Sequence, residues 1–384
     1  MRHSDVLLTW FDRHRRDLPW RRTTDPYRIW LSEVMLQQTR VETVLPYYNR
    51  FLERFPTVAD LAGAELEEVL ALWSGLGYYR RARQLHAAAR QIASAGGELP
   101  RTVEGLLELP GIGSYTAAAV ASIAYQVPAP VLDGNVERVM SRWLARGDDP
   151  RSRGVKKAFL EAAAGLLDAQ RPGDSNQALM ELGATLCTPR RPKCLLCPLV
   201  SGCRAAAQGD PERYPAAKPK REAEKHVWVA AVAEDERGGV LLFRRPEGSA
   251  VLAGTWELPW VELPGDASGT AAIPAGLAER FTERWGGSWR LGPELGRVRH
   301  GITFRDIEVG VHPAEVTGAV PDGSGSAARE GVEAGWFGER ERAALPLSSL
   351  VGKILGKVLK RTPPPSQRAP AATGPASSPS RRRR

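Results

Sequence analysis

The sequence is poor in cysteine and lacks long apolar runs. Its 384 residues include only four cysteines, all between Cys187 and Cys203, so no thiols remain elsewhere for a disulfide framework. Thiols confined to one short segment indicate a metal site in a reducing compartment. No apolar run approaches the ~18 residues that a transmembrane helix needs, and the N-terminus lacks the apolar core of a signal peptide. We therefore expect a cytoplasmic protein without a membrane partner.

Acidic residues are outnumbered by basic ones. The chain carries 44 aspartates and glutamates against 53 lysines and arginines, a formal net charge of +9. A basic balance favours a polyanionic partner, and nucleic acid is favoured over a membrane surface. The chain is long enough for two or three domains, and two fit the changes in composition best.

The pattern of apolar residues divides the chain into four segments. Residues 1–207 have helical spacing with glycine and proline breaks, which predicts an all-α domain. Residues 208–226 are rich in charge and proline, as in an interdomain linker. Residues 227–361 predict an α+β domain, with strands at 227–232, 240–243, 256–261 and 297–311 and a closing helix at 348–361. Residues 362–384 are of low complexity and are predicted to form a disordered basic tail.

The four cysteines have the spacing C-x6-C-x2-C-x5-C within 17 residues. Structural zinc sites usually use two distant C-x2-C pairs, whereas only one occurs here, so an iron–sulfur cluster with four thiolate ligands is favoured over zinc. The predicted ligands are Cys187, Cys194, Cys197 and Cys203. A cluster that merely replaces the apolar core of a small lobe is the alternative, and neither role requires redox catalysis.

The segment between the first two cysteines, residues 188–193, is called the basic finger below. Its proline content predicts a rigid loop, and metal ligands stand at both of its ends. We expect its cationic side chains, Arg190, Arg191 and Lys193, to contact DNA phosphates.

A glycine-rich break at 109–113, with the sequence LPGIG, separates two helical runs. Gly111 and Gly113 allow backbone N–H groups to approach a phosphate closely, as in a helix-hairpin-helix clasp over residues 106–125. An ordinary glycine-rich helix turn is the alternative. The sequence also contains two candidate carboxylates. Glu33 lies on a predicted helix and has no cationic residue one turn away, and the second is Asp133. The simpler interpretation of Glu33 is an exposed helix carboxylate, and that of Asp133 is a helix N-cap. Asp133 can cap a helix in addition to another role.

Together, the cysteine spacing, LPGIGSYTA and VLDGNV resemble the helix-hairpin-helix DNA glycosylase superfamily. The runs WLSEVMLQQTRVETV and GLGYYRRAR narrow the resemblance to the MutY type of adenine DNA glycosylase, over residues 5–360 and more loosely after 207. The resemblance implies a multidomain fold: an all-α glycosylase domain with a 4Fe-4S lobe at 187–203, and an α+β MutT/Nudix-like lesion-recognition domain at 227–361. It implies removal of a flipped adenine mispaired with 8-oxoguanine or guanine in double-stranded DNA. We expect a monomer that uses no nucleotide cofactor.

The resemblance also assigns the chemistry. Glu33 would protonate adenine at N7, and an apolar environment would raise its pKa toward that of a working acid. Asp133 would be the anion that faces the sugar cation, ordered by Tyr115 and Asn135. The endonuclease III branch has a lysine where this chain has Tyr115, and a tyrosine cannot form a Schiff base. The resemblance therefore implies a monofunctional enzyme that leaves an abasic site.

Base recognition is assigned in the same way. The residues that match the adenine pocket are Trp20, Arg21, Leu36 and Gln177. The residues that match the side reading the opposite base are Gln38, Thr39, Leu76 and Tyr78. Tyr78 would wedge into the base stack, whereas packing at a helix end is the alternative for Leu76 and Tyr78.

The second domain departs from two sequence motifs of its fold family, one for Nudix hydrolysis and one for lesion recognition. A Nudix hydrolase requires G-x5-E-x7-R-E-U-x-E-E-x-G-U (U an aliphatic residue), whose glutamates bind magnesium; residues 279–284 place arginine where a metal ligand is expected. In the loop that reads the lesion, Thr303 keeps a hydroxyl, whereas Ile302 and Phe304 replace the family's aromatic and second histidine. We expect lesion recognition to persist and hydrolysis of nucleoside triphosphates to be absent.

Two further functions stay open on the residues alone. An endonuclease III-like bifunctional glycosylase/lyase is disfavoured by Tyr115 and by the extra domain. An iron–sulfur DNA-binding protein without enzymatic activity would keep the cysteines and the hairpin, but it would have no use for Glu33 and Asp133.

Overall fold

The computed structural model describes residues 2–149, 152–216, 222–246, 248–249, 252–264, 276–302, 304–318 and 333–357. The chain divides into two compact units. The helical unit contains residues 1–222, 245–255 and 340–347, and the sheet unit contains residues 223–244, 256–339 and 348–384. The predicted tail at 362–384 lies outside the described residues.

The first 207 residues are helical, as the apolar spacing predicts. The helices are α1 (His3–His14), α2 (Pro26–Leu36), α3 (Val41–Arg54), α4 (Val58–Gly63), α5 (Leu66–Trp73), α6 (Arg80–Ser94), α7 (Val103–Leu107), α8 (Ser114–Tyr125), α9 (Gly134–Leu144), α10 (Arg153–Ala164), α11 (Pro172–Thr185) and α12 (Arg204–Ala207). No helix among the described residues is both long enough and apolar enough to cross a membrane.

Helix α2 is buried over most of its length. Its N-terminus is fixed by Asp25, whose carboxylate accepts hydrogen bonds from the backbone N–H groups of Tyr27 and Arg28, and by Pro26 at the first helical position. The helix ends at Leu36, and Gln38, two residues later, has a left-handed φ of 56°. Residues 29–35 are all buried, so the acidic residue in this run, Glu33, is enclosed by the core.

Helices α7 and α8 form the predicted hairpin. Gly111, in the turn between them, has a φ of +77°, and a Cβ there would lie 2.6 Å from Cβ of Gln84. Only glycine meets both constraints without rearrangement. Helix α8 is built largely from alanine and is buried from Thr116 to Ile123, so its backbone lies close to its neighbours and fixes the position of the turn.

The sheet unit has the predicted α+β composition. Its strands are β1 (Glu224–Ala233), β2 (Val240–Arg244), β3 (Trp256–Glu257), β4 (Trp260–Leu263), β5 (Ser288–Leu291), β6 (Gly296–Ile302), β7 (Arg305–Thr317) and β8 (Ala334–Phe337), and its helices include α13 (Leu277–Trp285) and α15 (Ser349–Lys357). A further helix, α14 (Glu339–Ala344), falls mostly in the segment 340–347 of the helical unit.

The strands form two sheets. The first has the order β4-β1-β7-β5, with β6 also paired to β7, and the second has the order β3-β2-β8. Strands β1 and β7 are parallel, and the other pairs are antiparallel. Strand β1 is buried continuously from Val229 to Ala233, which is the pattern of a strand covered on both faces.

Two predicted strands are divided in the structure. The segment 256–261 forms β3 and β4, because Pro259 lies between them and cannot donate to a ladder. The segment 297–311 is an antiparallel hairpin of β6 and β7. Strand β1 begins at Glu224, inside the predicted linker, and the linker residues 217–221 lie outside the described part of the chain.

Candidate active site

A cavity of about 1130 Å³ opens between α2, α8, α9 and α11 in the helical unit. It brings together residues that are distant in the sequence. The predicted site residues that line it are Trp20, Arg21, Glu33, Leu36, Gln38, Thr39, Gly111, Gly113, Tyr115, Asp133, Asn135 and Gln177. The predicted acid, the predicted anion, the hairpin glycines and the residues predicted to form the base pocket therefore share one concave site.

Glu33 lies in this cavity with 5% of its surface exposed. Burial, together with the nearby charge of Asp133, raises the pKa of its carboxyl to about 7, against the opposing effects of the Tyr115 hydrogen bond and the Arg21 charge. The Tyr115 hydroxyl donates a 2.6 Å hydrogen bond to Oε2 of Glu33 and lies 3.2 Å from Sδ of Met180. Since the pKa is near neutrality, Glu33 can carry a proton at physiological pH and release it to a ligand.

Asp133 is the N-cap of α9, as the simpler interpretation of this residue predicts. Its Oδ1 accepts the backbone N–H of Val136 at 2.7 Å, and its Oδ2 accepts the Asn135 amide at 3.0 Å. Burial raises the pKa of Asp133, whereas the hydrogen bonds from Val136 and Asn135 lower it. The carboxylate also lines the cavity, so capping the helix and facing a ligand are compatible.

The residues predicted to read the opposite base are arranged differently. Gln38 and Thr39 line the cavity, whereas the lining does not include Leu76 or Tyr78. Leu76 is 6% exposed and belongs to the core, as its simpler interpretation predicts. Tyr78 is 50% exposed and has a left-handed φ of 51°, an arrangement that presents the ring to solvent.

Arg81 connects these two segments, and the sequence did not single it out. Its guanidinium donates hydrogen bonds to Oγ1 of Thr39 at 3.2 Å and to the carbonyl of Gly77 at 3.2 Å. It also donates to the carbonyls of Val34 and Met35 at the end of α2. Burial lowers the pKa of Arg81 to about 10, which keeps it charged at neutral pH.

The four cysteines line one small cavity together with Arg142 and Lys193. All four are free thiols, and Nη1 of Arg142 lies 3.3 Å from Sγ of Cys187. The donor set thus fits a thiolate-bound group. Within the described ranges, no group of three or more histidine, cysteine, aspartate or glutamate side chains is arranged to hold a metal ion.

The basic finger projects from this lobe. Arg190, Arg191 and Lys193 are exposed, and the finger is braced by Arg142, whose Nη1 and Nη2 donate to the carbonyls of Thr188 at 2.8 Å and Pro189 at 3.0 Å. A braced loop with three exposed cations is suited to contact a polyanion.

A second residue that the sequence did not single out is Arg138. Its Nη2 donates to Oδ1 of Asn135 at 2.9 Å and to the carbonyl of Gly183 at 2.8 Å, and its Nε donates to the carbonyl of Cys187 at 2.8 Å. Arg138 thus links the cavity to the cysteine lobe. Arg138 lies three residues after Asn135, so both residues lie on one face of α9. This spacing is the feature of the sequence that could have identified Arg138.

The sheet unit offers less information about its predicted site. The loop expected to read the lesion is the turn between β6 and β7, and Thr303 lies outside the described residues. His300 is 7% exposed, and burial and Lys353 lower its pKa. On α13, the Arg284 guanidinium carbon lies 3.8 Å from the Trp260 ring centroid, so this arginine stacks on an aromatic ring.

The chain is similar to known DNA repair proteins. Residues 31–164 match the family described as HhH-GPD superfamily base excision DNA repair protein. The chain is 40% identical over 369 residues to adenine DNA glycosylase of Rattus norvegicus, covering 82% of this chain and 70% of the rat protein. It is 42% identical over 284 residues to adenine DNA glycosylase of Mycolicibacterium smegmatis, covering 72% of this chain and 92% of that protein. A solved thermostable thymine-DNA glycosylase is 33% identical, with a TM-score of 0.49, over 53% of this chain and 95% of the other.

Proposed function

The chain belongs to the adenine DNA glycosylase family of base-excision repair enzymes, and on this premise we propose that it removes adenine mispaired with 8-oxoguanine or guanine from duplex DNA. The observation that carries the proposal is the pairing of a buried carboxyl of pKa about 7, Glu33, with a neighbouring carboxylate, Asp133, in one cavity. Cleavage of a glycosidic bond uses two such groups, one as acid and one as anion.

In the proposed first step, Glu33 gives its proton to N7 of the flipped adenine. Tyr115 donates to Oε2, which orients the carboxyl and leaves Oε1 to carry the proton. The bond between C1′ and N9 then breaks, and its electron pair leaves with the base. Protonation neutralises the charge that the leaving adenine would otherwise carry, which lowers the barrier to departure.

The sugar left behind is a cation, and Asp133 is proposed to stabilise it. The hydrogen bonds from Val136 and Asn135 hold the Asp133 carboxylate in a fixed orientation, so little reorganisation is required as the positive charge develops. A water molecule adds to C1′ and loses a proton to Glu33, which restores the acid. The products are free adenine and an abasic site.

The enzyme is proposed to stop at this stage. A lyase requires an amine nucleophile, and the side chain that meets Glu33 in the hairpin is the phenol of Tyr115. Burial raises the pKa of Tyr115 well above its ordinary value, so the hydroxyl stays protonated and acts as a hydrogen-bond donor.

Recognition of the DNA is proposed to use three surfaces. The hairpin turn with Gly111 and Gly113 and the basic finger bind phosphates, and Gln38, Thr39 and the exposed ring of Tyr78 read the base opposite adenine. The four cysteines would hold a 4Fe-4S cluster, whose contribution is to fix the finger. Arg142, which bonds both Cys187 and the finger backbone, supports that structural role.

One panel of substrates tests the proposal. Duplexes carrying adenine opposite 8-oxoguanine, guanine, thymine and cytosine are incubated with the protein and analysed with and without alkali. We expect strand cleavage only after alkali, for adenine opposite 8-oxoguanine and guanine. Cleavage without alkali would support the bifunctional alternative, and intact strands with all four duplexes would support a DNA-binding protein without activity.

A further inference from the structure

Glu181 is a buried carboxylate that holds two arginines at the edge of the active-site cavity. Its side chain is 0% exposed. Nε and Nη2 of Arg16 donate to its two oxygens at 2.8 Å each, and Nη2 of Arg21 donates to Oε2 at 2.8 Å. The backbone N–H of Arg16 adds a fourth hydrogen bond at 3.2 Å.

The charge state of this cluster is well defined. Burial opposes ionisation of Glu181, but the hydrogen bonds from Arg16 and Arg21 outweigh it and hold its pKa at about 2. The cluster therefore contains one anion and two cations at neutral pH. A buried carboxylate with this set of donors has a single orientation, because any rotation would leave a charged group unpaired.

The cluster faces the same cavity as Glu33. Glu181 follows Gln177 by one turn on α11, and Arg16, Arg21, Gln177 and Glu181 all line the cavity. The Arg21 side chain is 10% exposed. Within the described ranges, two of its five side-chain N–H groups have an acceptor, Glu181 and the carbonyl of Arg16 at 3.2 Å. The remaining donors are available to a base with ring-nitrogen acceptors.

We propose that Glu181 is a positioning residue for base excision, which fixes the Arg21 guanidinium at the wall of the cavity so that a flipped adenine meets a preorganised hydrogen-bond donor. The inference rests on the proposed function. Among the described residues, the carboxylate of Glu181 accepts hydrogen bonds only from Arg16 and Arg21, so it acts through Arg21 and does not take part in the chemical step.

A second consequence concerns the acid. The groups that act on Glu33 are Tyr115, Asp133 and Arg21, and the positive charge of Arg21 lowers the pKa of Glu33. Glu181 partly offsets that charge. Without its carboxylate, the uncompensated arginines would lower the pKa of Glu33 further, and the protonated acid would be lost at a lower pH.

The test compares Glu181→Gln with Glu68→Gln. Glu68 makes a similar two-point contact with Arg54 but lies on α5, has a side chain that is 38% exposed and does not line the cavity. The single-turnover rate of adenine release and the Kd for a duplex with 2′-fluoro-2′-deoxyadenosine opposite 8-oxoguanine are measured across pH. We expect Glu181→Gln to lower the rate about 10- to 100-fold, to change Kd less than about threefold and to move the alkaline limb of the rate to lower pH. Glu68→Gln should match the wild type in all three.

A double variant tests whether Glu181 acts through Arg21. Once Arg21→Met has removed the guanidinium, adding Glu181→Gln should lower the rate less than about threefold further. A wild-type rate and pH profile for Glu181→Gln would overturn the inference, as would additive losses in the double variant. If Glu181→Gln does not fold, Glu181→Asp is measured instead. Its shorter carboxylate should lower the rate of adenine release, and a wild-type rate for this variant would overturn the inference. Failure of the wild type to release adenine would instead overturn the proposed function.

Discussion

The hydroxyl of Tyr115 donates a 2.6 Å hydrogen bond to Oε2 of Glu33, although 82 positions separate the two residues in the chain. Tyr115 stands at the start of α8 and Glu33 in the middle of α2, so packing of the two helices creates the contact. One hydrogen bond thus joins Tyr115, which we propose decides the available chemistry, to Glu33, the proposed proton donor.

Removing that hydroxyl should change the pH dependence. The hydrogen bond from Tyr115 lowers the pKa of Glu33, so Tyr115→Phe should raise it above about 7. Because the protonated acid is the active form, the wild-type rate should fall as pH rises through about 7, and that fall should occur at higher pH in the variant. Single-turnover rates from pH 5 to 9 measure both curves. A limb that stays in place would show that Glu33 is not the group being titrated.

Replacing the same residue with an amine should add a second activity. Tyr115→Lys places a primary amine in the cavity, where it can attack C1′ and form a Schiff base. We expect borohydride to trap the variant covalently on DNA and strand cleavage to occur without alkali. Tyr115→Phe is the matched control, since it lacks both the hydroxyl and the amine. Efficient trapping of the wild type would contradict the assignment of a monofunctional enzyme.

Glu33 should reduce the stability of the protein at neutral and alkaline pH. Burial raises its pKa from 4.5 to about 7, so between these values the folded state binds more protons than the unfolded state and stability falls as pH rises. Glu33→Gln does not titrate and should therefore gain on the order of 1–3 kcal/mol over the wild type at pH 8. Urea unfolding at pH 5 and pH 8 should show a stability difference that widens with pH. The same difference at both pH values would contradict the raised pKa.

Gly183 allows α11 to approach the start of α9. A Cβ at this position would lie 2.7 Å from Cβ and 3.0 Å from the carbonyl oxygen of Asn135. Gly183→Ala should displace Asn135, lower the free energy of unfolding by about 1–3 kcal/mol and slow adenine release. Gly154→Ala is the matched control, because a Cβ on this glycine of α10 meets nothing within 4 Å. Equal effects of the two substitutions would contradict the close approach.

The basic finger should contribute to DNA affinity without base specificity. Arg190→Ala removes one exposed cation, so the slope of log Kd against log salt should fall by about 1. Binding should weaken to the same extent for mispaired and fully paired duplexes, whereas Arg54→Ala should leave both nearly unchanged. A loss confined to the mispaired duplex would place Arg190 in base recognition.

Apolar periodicity was sufficient to predict much of the fold. Helical spacing predicted the helices that end at Ala207, and alternation predicted strands at the positions of β1, β2, β3, β4, β6 and β7 but not the short strands β5 and β8. Alternation alone did not divide 297–311 into the strands β6 and β7, because it continues through the turn; only the resemblance implied a loop at 300–304. The strand predicted at 256–261 ignored Pro259, which was a usable signal.

The site was predicted less completely, for a physical reason. Short motifs identified residues that line the cavity, including Glu33, Asp133 and Tyr115. Arg138 and Glu181, which contact Asn135 and Arg21, are ordinary charged residues within helices, and their partners are brought near only by packing. One turn of helix relates each of them to a predicted residue, Asn135 and Gln177, and this spacing was the only local indication.

The most direct test of the account is the release of free adenine from a duplex with adenine opposite 8-oxoguanine by the wild type and by Glu33→Gln. The account predicts release by the wild type and, for the variant, binding within about threefold of the wild-type Kd with a rate lower by about 100-fold or more. A variant that releases adenine at a rate near that of the wild type would contradict the assignment of Glu33 as the acid.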